Sequence, residues 1–535
     1  MPVTPTYPGL YIEEVLSNSH TITAAPTSVA VFVGYTHPFK TRPQHYGEAV
    51  QIFSFTDYER EFGGLFSVGW LADDVGRAVF QFFANGGSVA WIVALLPAFH
   101  LTAGTTSAIA APTLGFGTAP NTFTFTGREP VDAQHPMTVT LSNLAASVVG
   151  GALDVADLTV AYGTRTETYR QVSLAGAAGV NSPENRLGTT AVPVSSMVTV
   201  ARTGTVAAWP AAPASGVPLP VPLAGNLPAT PFTTFLPGDF GGAFATDGAL
   251  DKVTVFNLLL TPGIWDPAVV GTALAFAERK HAFVLVDPPP DVGADQTSNL
   301  PLVADLMTDA LFPRRIPKSE NGALYFPYLV TSDPATGAPL TVAPSGSVAG
   351  VIAREDNDRG VWKAPAGLEA LVQNVAGVVP GGRMTDPRQG TLNPIGVNCL
   401  RSFPGVGTVV FGARTLVAGN PALQQFRYVP VRRMTLFLEQ SLLASLGWVI
   451  FEPNDSPLWV SIKTTIDGFM TGLFTLGAFQ GATPSQAFQV RCDASTTTPD
   501  DQANGIVNIV VAFAPLKPAE FVIIKIAQLA GQTQS

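Results

Sequence analysis

Two segments near the C-terminus constrain this chain more than any others: Ile506 to Phe513 (IVNIVVAF) and Phe521 to Ile526 (FVIIKI). Both have strand length and are apolar on nearly every position. In the first, Val507, Ile509, Val511 and Phe513 share one face, while Ile506, Val510 and Ala512 take most of the other. Both faces need cover, and an open edge on such a strand would template aggregation. The second segment contributes Val522 and Ile524 to the same expected sheet. Residues 1–27 are the natural complement. Pro2, Pro5, Pro8 and Pro26 prevent a helix there, and Leu10, Tyr11, Ile12, Glu13, Glu14 and Val15 form one short strand-like stretch. An arm that adds a strand to a neighbour's sheet makes a head-to-tail contact; repeated without closure, that contact builds a helical filament. The alternative is an arm that packs back on its own domain.

Composition agrees with burial against partners. Of 535 residues, 46% are hydrophobic and only 13% charged, so much apolar surface has to be hidden in cores or between subunits. The length calls for about two to four domains. The net charge of -10 and the lack of any Lys/Arg run argue against a nucleic-acid partner. Two scattered cysteines, Cys399 and Cys492, suit a reducing compartment or indifference to redox. No basic-then-apolar leader opens the sequence, and no apolar run approaches 18 residues, so neither a signal peptide nor a membrane span is expected.

Along the chain, residues 28–34 and 88–96 read as buried strands around a helix over 71–83 that stops at Asn85-Gly86-Gly87. Residues 100–237 change texture to Thr, Ser, Ala, Gly and Pro with short alternating segments, a β-rich module whose 203–237 stretch is loop. Strands at 253–260 and 282–286 flank a helix near 267–280. Helices follow over 432–446 and from Pro457, with Ser456 as the expected N-cap.

Catalytic patterns are thin. There is no Gly-Lys dipeptide for a phosphate loop, no His followed by Glu, and no GxSxG elbow. The six histidines have no metal-ligand spacing, and no cofactor or metal is expected. Asp287-Pro-Pro-Pro-Asp291 follows a strand, as many α/β sites do, although a turn or cap explains it as well. Glu355, Asp356, Asp358 and Arg359 lack the glycine-centred calcium-loop pattern and read as a salt-bridged turn. A hydrolase or nucleotide-binding enzyme using residues 250–290 is the alternative function, and it lacks the loop that it would need.

The chain resembles the tail sheath proteins of contractile phages and phage-tail-like injection systems. The resemblance runs through Tyr7-Pro-Gly-Leu-Tyr-Ile-Glu-Glu-Val15, Glu61-Phe-Gly-Gly64, Gly350-Val-Ile-Ala-Arg-Glu-Asp356 and Arg359-Gly-Val-Trp-Lys-Ala-Pro-Ala-Gly367. It continues through Asn393-Pro-Ile-Gly-Val-Asn398, Tyr428-Val-Pro-Val-Arg-Arg433, Phe451-Glu-Pro-Asn-Asp455 and Ala514-Pro-Leu-Lys-Pro-Ala-Glu-Phe521. Phe411 and Pro430 depart from the pattern, where Trp and a polar residue are usual. The resemblance covers about 1–96 and 345–535.

It implies an α+β multi-domain fold: an inner α/β domain made from N- and C-terminal segments, with inserted β-rich and α/β outer modules. The expected divisions are a linking arm at 1–27, inner-domain parts at 28–99 and 345–535, a β-rich insertion at 100–237 and an α/β middle domain at 238–344. The implied function is structural, a self-polymerising sheath around an inner tube, with baseplate and terminal cap proteins as partners and no direct membrane insertion. Assembly in the cytoplasm of the producing bacterium is implied, as part of a virion or a released particle. Residues 10–15 would be the donated strand and 506–513 with 521–526 the receiving one. Ser461, Lys463, Thr464 and Asp467, on the polar side of the helix after Pro457, are candidates to face the tube; ordinary core packing with one wet face is the other reading.

Overall fold

The computed structural model describes residues 20–66, 73–96, 98–102, 105–108, 111–131, 136–176, 179–210, 220–222, 237–290, 300–309, 315–333 and 337–524. The chain forms two compact units, one of residues 27–358 and 365–429, the other of residues 1–26, 359–364 and 430–535.

The larger unit is built on an eight-stranded sheet. Its strands are β1 (Ala30–Tyr35), β2 (Ala49–Ile52), β3 (Ala90–Leu95), β4 (Leu258–Leu260), β5 (Phe283–Val286), β6 (Gly322–Phe326), β7 (Val397–Phe403) and β8 (Gly407–Val410). Their spatial order is β2-β3-β1-β4-β5-β6-β7-β8. The six central strands run parallel, and β2 and β8 pair antiparallel at the two edges. Central parallel strands are covered on both faces, which is why β1, β4, β5 and β6 read as unbroken apolar runs and are almost wholly buried.

This sheet crosses the boundaries expected near 238 and 345, because β4 to β6 complete the sheet that β1 and β3 begin. The reason is the second edge of β1: β3 covers one side, and only β4 supplies backbone partners for the other. The strand expected over 253–260 shortens to Leu258–Leu260, since Asn257 turns its side chain to accept from the Val29 N–H (3.0 Å) while Val253 and Phe256 enter the core as loop.

Helix α1 (Asp74–Ala84) is capped by Asp73, whose Oδ1 accepts from the Gly76 N–H (3.0 Å), and it ends at Asn85 with Gly86 in the left-handed region (φ 115°). Helix α2 (Pro267–Arg279) follows β4. Helix α3 (Pro344–Arg359) is buried along most of its length, including Glu355 and Asp356. Those acids therefore lie in the last turns of a buried helix, where the sequence suggested a turn; the chain breaks one residue later, at Gly360 (φ 93°). Helix α3 crosses α1 closely at Gly346 and Gly350, one turn apart. A Cβ at Gly346 would meet the Ala78 backbone at 2.4 Å, and one at Gly350 the Phe82 carbonyl at 2.5 Å.

Between β3 and β4 lies an inserted β-module with its own core. Strands Arg165–Ser173, Val155–Tyr162, Met137–Ala145 and Pro220–Pro222 make one sheet in that order, and Val198–Thr203, Asn121–Gly127 and Thr113–Thr118 another. Phe123, Phe125 and Val200 from one sheet share a core with Val139, Leu158, Val160 and Val172 from the other. The four-stranded sheet ends in strands unsuited to further pairing. One edge has proline at both ends; the other carries Arg165, Glu167 and Arg170 and is broken by a bulge at Gln171 (φ 52°).

The smaller unit contains α4 (Val429–Ser445), α5 (Ser456–Thr475), β9 (Phe488–Arg491) and β10 (Val510–Phe513). Its core gathers Met434, Phe437, Trp459, Ile462, Ile466, Met470 and Val490. The N-cap of α5 is Asp455 rather than Ser456: its Oδ1 accepts from the Leu458 N–H (3.1 Å), and Ser456 and Pro457 stand inside the helix.

The α1–α3 crossing gives a direct test. Gly350→Ala should lower stability by about 2 kcal/mol, because a backbone carbonyl cannot step aside for the new methyl. An equivalent Gly468→Ala change on the open side of α5 should be neutral or stabilising, and thermal unfolding midpoints of the two variants will show the contrast.

Candidate assembly surface

The expected receiving strands are only partly formed within one chain. β10 pairs antiparallel with β9, in register Phe488↔Phe513 to Arg491↔Val510. Val507, Ile509, Val511 and Phe513 pack against the core of the smaller unit, while Ile506 and Val510 remain exposed. The pairing starts late, at Val510, because local bonds hold the residues before it. The Ile506 N–H donates to the Asp501 carbonyl (2.8 Å), and the Asn508 N–H donates to Thr497 Oγ1 (3.0 Å).

The second expected strand is absent from the described residues. Phe521, Val522, Ile523 and Ile524 form neither helix nor strand, and they are 72, 80, 82 and 78% exposed. A strand needs a partner edge, and one edge of β10 is already taken by β9. Beyond β10 the chain instead returns along Phe479–Gln480, where the Gln480 N–H donates to the Ala514 carbonyl (2.9 Å). Among the described residues β10 has no second strand beside it. Two strands alone make a marginal sheet in water, and four consecutive large apolar side chains gain roughly 1.5–3 kcal/mol each on full burial.

The arm residues Leu10, Tyr11, Ile12, Glu13, Glu14 and Val15 lie outside the described residues. Immediately after them the chain is anchored. His20 stacks on Trp448 at 3.8 Å, and the Thr23 and Ala25 N–H groups donate to Ser445 Oγ and Ser441 Oγ on α4 (3.1 and 3.0 Å).

On α5, Val460, Thr464, Gly468, Thr471, Gly472 and Thr475 form the exposed stripe, opposite the buried Ile462, Ile466, Met470 and Leu473. Of the four residues expected to face a tube, Thr464 lies on this stripe. Ser461, Lys463 and Asp467 flank it half-buried, with Lys463 Nζ bonded to Asp467 Oδ2 at 2.5 Å. Beside the start of α5, Ile450 and Phe451 are exposed, and Phe451 is held at φ 74°, a left-handed conformation that bulky residues avoid.

The enzymatic alternative is tested at the C-terminal ends of β1, β4 and β5, where the parallel sheet changes winding direction and α/β proteins place their sites. That crevice is filled by the protein's own carboxylates. Asp287 Oδ1 accepts from the Ser345 N–H (2.8 Å), and its Oδ2 accepts from Ser345 Oγ (2.7 Å) and the Gly263 N–H (2.9 Å). Asp287 is thus a cap for α3. Asp74 lies against Gly263, and burial raises the carboxyl pKa of Asp73 to about 7 and of Asp74 and Asp287 to about 6. Among the described residues no group of three His, Cys, Asp or Glu side chains is placed to hold a metal ion.

Residues 422–528 match the family model of the phage tail sheath C-terminal domain. A tail sheath protein of the Vibrio phage KVP40 is 28% identical over 177 residues, covering 33% of this chain and 24% of the phage protein. The helical sheath of the anti-feeding prophage in its contracted state shares the fold across 98% of this chain and 100% of its own, with a TM-score of 0.57 and 23% identity. The contracted sheath complex of an extracellular contractile injection system (PVC) gives 0.56 over 98 and 99%, at 19% identity. A sheath tail protein from Desulfitobacterium hafniense gives 0.55 over 95 and 100%, at 13% identity. Residues 422–528 thus resemble the phage tail sheath C-terminal domain, and the chain as a whole has the fold of these sheath proteins.

The buried carboxylates make a pH prediction. The folded state binds the Asp74 proton more tightly than the unfolded chain, whose Asp titrates near 3.9, so Asp74 costs stability as pH rises through about 4 to 6. Asp74→Asn should raise the thermal midpoint at pH 8, by up to about 3 kcal/mol in stability for a shift of about two pKa units, and most of the gain should vanish at pH 4.

Proposed function

We propose that this chain is the repeating subunit of a contractile sheath that encloses the inner tube of a phage tail or a phage-tail-like injection particle. The observation that carries this reading is the unfinished sheet of the smaller unit: an open edge on β10 beside four exposed apolar residues that have strand composition. A row of identical copies would supply the strands that this sheet lacks among the described residues. Residues 10–15 of one copy and 521–526 of another complete the β9–β10 sheet of a third, and the contact repeats without closing.

In this reading the linking arm at 1–27 and the strands near the C-terminus act as hinges, and the inner domain and outer modules move as bodies. The sheath holds one packing and relaxes to a second. A difference of a few kcal/mol per subunit suffices because it is summed over the whole polymer, and no nucleotide is consumed. The exposed stripe of α5 faces the tube, with Thr464 at its centre and the Lys463–Asp467 pair beside it. Baseplate and cap proteins close the two ends. The subunits assemble in the cytoplasm of the producing bacterium. Among the described residues no helix is long and apolar enough to cross a membrane, so the tube rather than the sheath would enter a target.

Electron microscopy of the concentrated protein, alone and with its tube partner, tests the reading. Hollow tubes with ring-like cross-striations are expected. The double change Val522→Asp with Ile524→Asp should abolish them and leave a folded monomer, since both side chains already sit in water. Ile12→Pro should do the same by removing the donated strand. Normal tubes from either variant would remove the linkage from the model.

A further inference from the structure

The inserted β-module is fastened to the inner sheet by a buried charge cluster that the sheath reading does not use. His37 and Lys40 lie just beyond the end of β1. Arg128 and Glu129 follow strand Asn121–Gly127 of the module, and Arg165 opens its edge strand. His37 and Glu129 are fully buried. Glu129 Oε2 accepts from His37 Nε2 at 2.8 Å, while Oε1 is shared by Lys40 Nζ and Arg165. The His37 ring is enclosed by Phe39 and Phe66, with centroids at 6.4 and 5.2 Å. Its other nitrogen, Nδ1, accepts from the Phe39 N–H (3.2 Å).

These bonds define the tautomer. Nδ1 is an acceptor, so the proton sits on Nε2 and points at Glu129, and the ring is neutral. A second proton would have to enter at Nδ1, directly against the Phe39 N–H. It would also add charge where Lys40, Arg128 and Arg165 already face Glu129, with Glu167 as a second carboxylate beside Arg128. We propose that His37 and Glu129 form an acid-released latch: protonation of His37 detaches the inserted module from the inner sheet while both cores stay folded.

Burial lowers the His37 pKa, in the sense that this geometry requires. A freed imidazole takes its proton at about pH 6.5 and the latched one does not, so the latch weakens as pH falls below that value. Glu129 acts in a different window. Burial raises its carboxyl, but the bond from His37 and the charges of Lys40 and Arg165 outweigh this and hold it well below the usual carboxylate range. Its contribution is lost only below about pH 4.3. Release between pH 6.5 and 5 therefore belongs to the histidine. The module has its own core, separate from the core of the inner sheet, so the two can part without either one unfolding.

Hydrogen exchange of the full chain at pH 7.5 and 5.5, corrected for intrinsic rates, tests this. Peptides covering 37–41 and 127–131 should lose protection about tenfold at pH 5.5, while Met137–Ala145, Val155–Tyr162 and β1 keep theirs. His37→Gln retains a neutral donor toward Glu129 and should abolish the pH response. Equal protection at both pH values, the same loss in His37→Gln, or parallel loss in the module's inner strands would overturn the latch. If His37→Gln does not fold, the wild-type midpoint decides: a value between 5 and 6.5 supports the latch, and one near 4 assigns the change to carboxylates and overturns it.

Discussion

A strand inside a protein needs partners on both edges and cover on both faces, and this chain meets that demand completely at β1 and halfway at β10. β1 has β3 on one side and β4 on the other, with neither face in water. To achieve this the chain leaves the sheet after β3, builds an entire module, and returns some 160 residues later to add β4. β10 has one partner, and the next apolar segment points into solvent. The same hydrogen-bonding requirement makes the first sheet a finished body and the second an unfinished one.

The finished body shows what its α/β framework does with the carboxylates at the change of winding. Its crevice at the change of winding is the place where such sheets hold nucleotides or reactive groups. Here Asp73 accepts from the Gly76 N–H in the first turn of α1 and from the Phe66 N–H, and Asp287 accepts from Ser345 at the start of α3 and from the Gly263 N–H. The glycines of α3 then bring that helix onto the α1 backbone. The bonds and the close helix crossing in this region all serve rigidity.

Legibility in the sequence followed how local each signal was. The buried strands, α1 with its Asn-Gly-Gly stop, and the helices of the smaller unit were readable because apolar period and caps lie within a few residues of one another. The sheet order was not readable: nothing near residue 30 announces a partner at 258. The sequence offers both Ser456 and Asp455 as neighbouring cap residues for α5, and it is Asp455 that accepts the bond. The apolar character of 521–526 is plain, but composition specifies a need for cover and not who provides it, so no strand forms there among the described residues. The His37–Glu129 contact had no signal at all, since its members are 92 positions apart and each is unremarkable alone.

The blunt edges of the inserted sandwich bear on fidelity. In the proposed polymer each module would have neighbours held beside it, at an effective concentration in the millimolar range or above. At that density even a weakly adhesive edge would zip adjacent modules together and freeze the lattice in whichever state it first reached. Prolines at 220 and 222 and the charged, bulged strand opposite remove that option. In the proposed sheath the four-stranded sheet would thus add no adhesive edge of its own, and the sheet of β9 and β10 would be left to set how copies find their register.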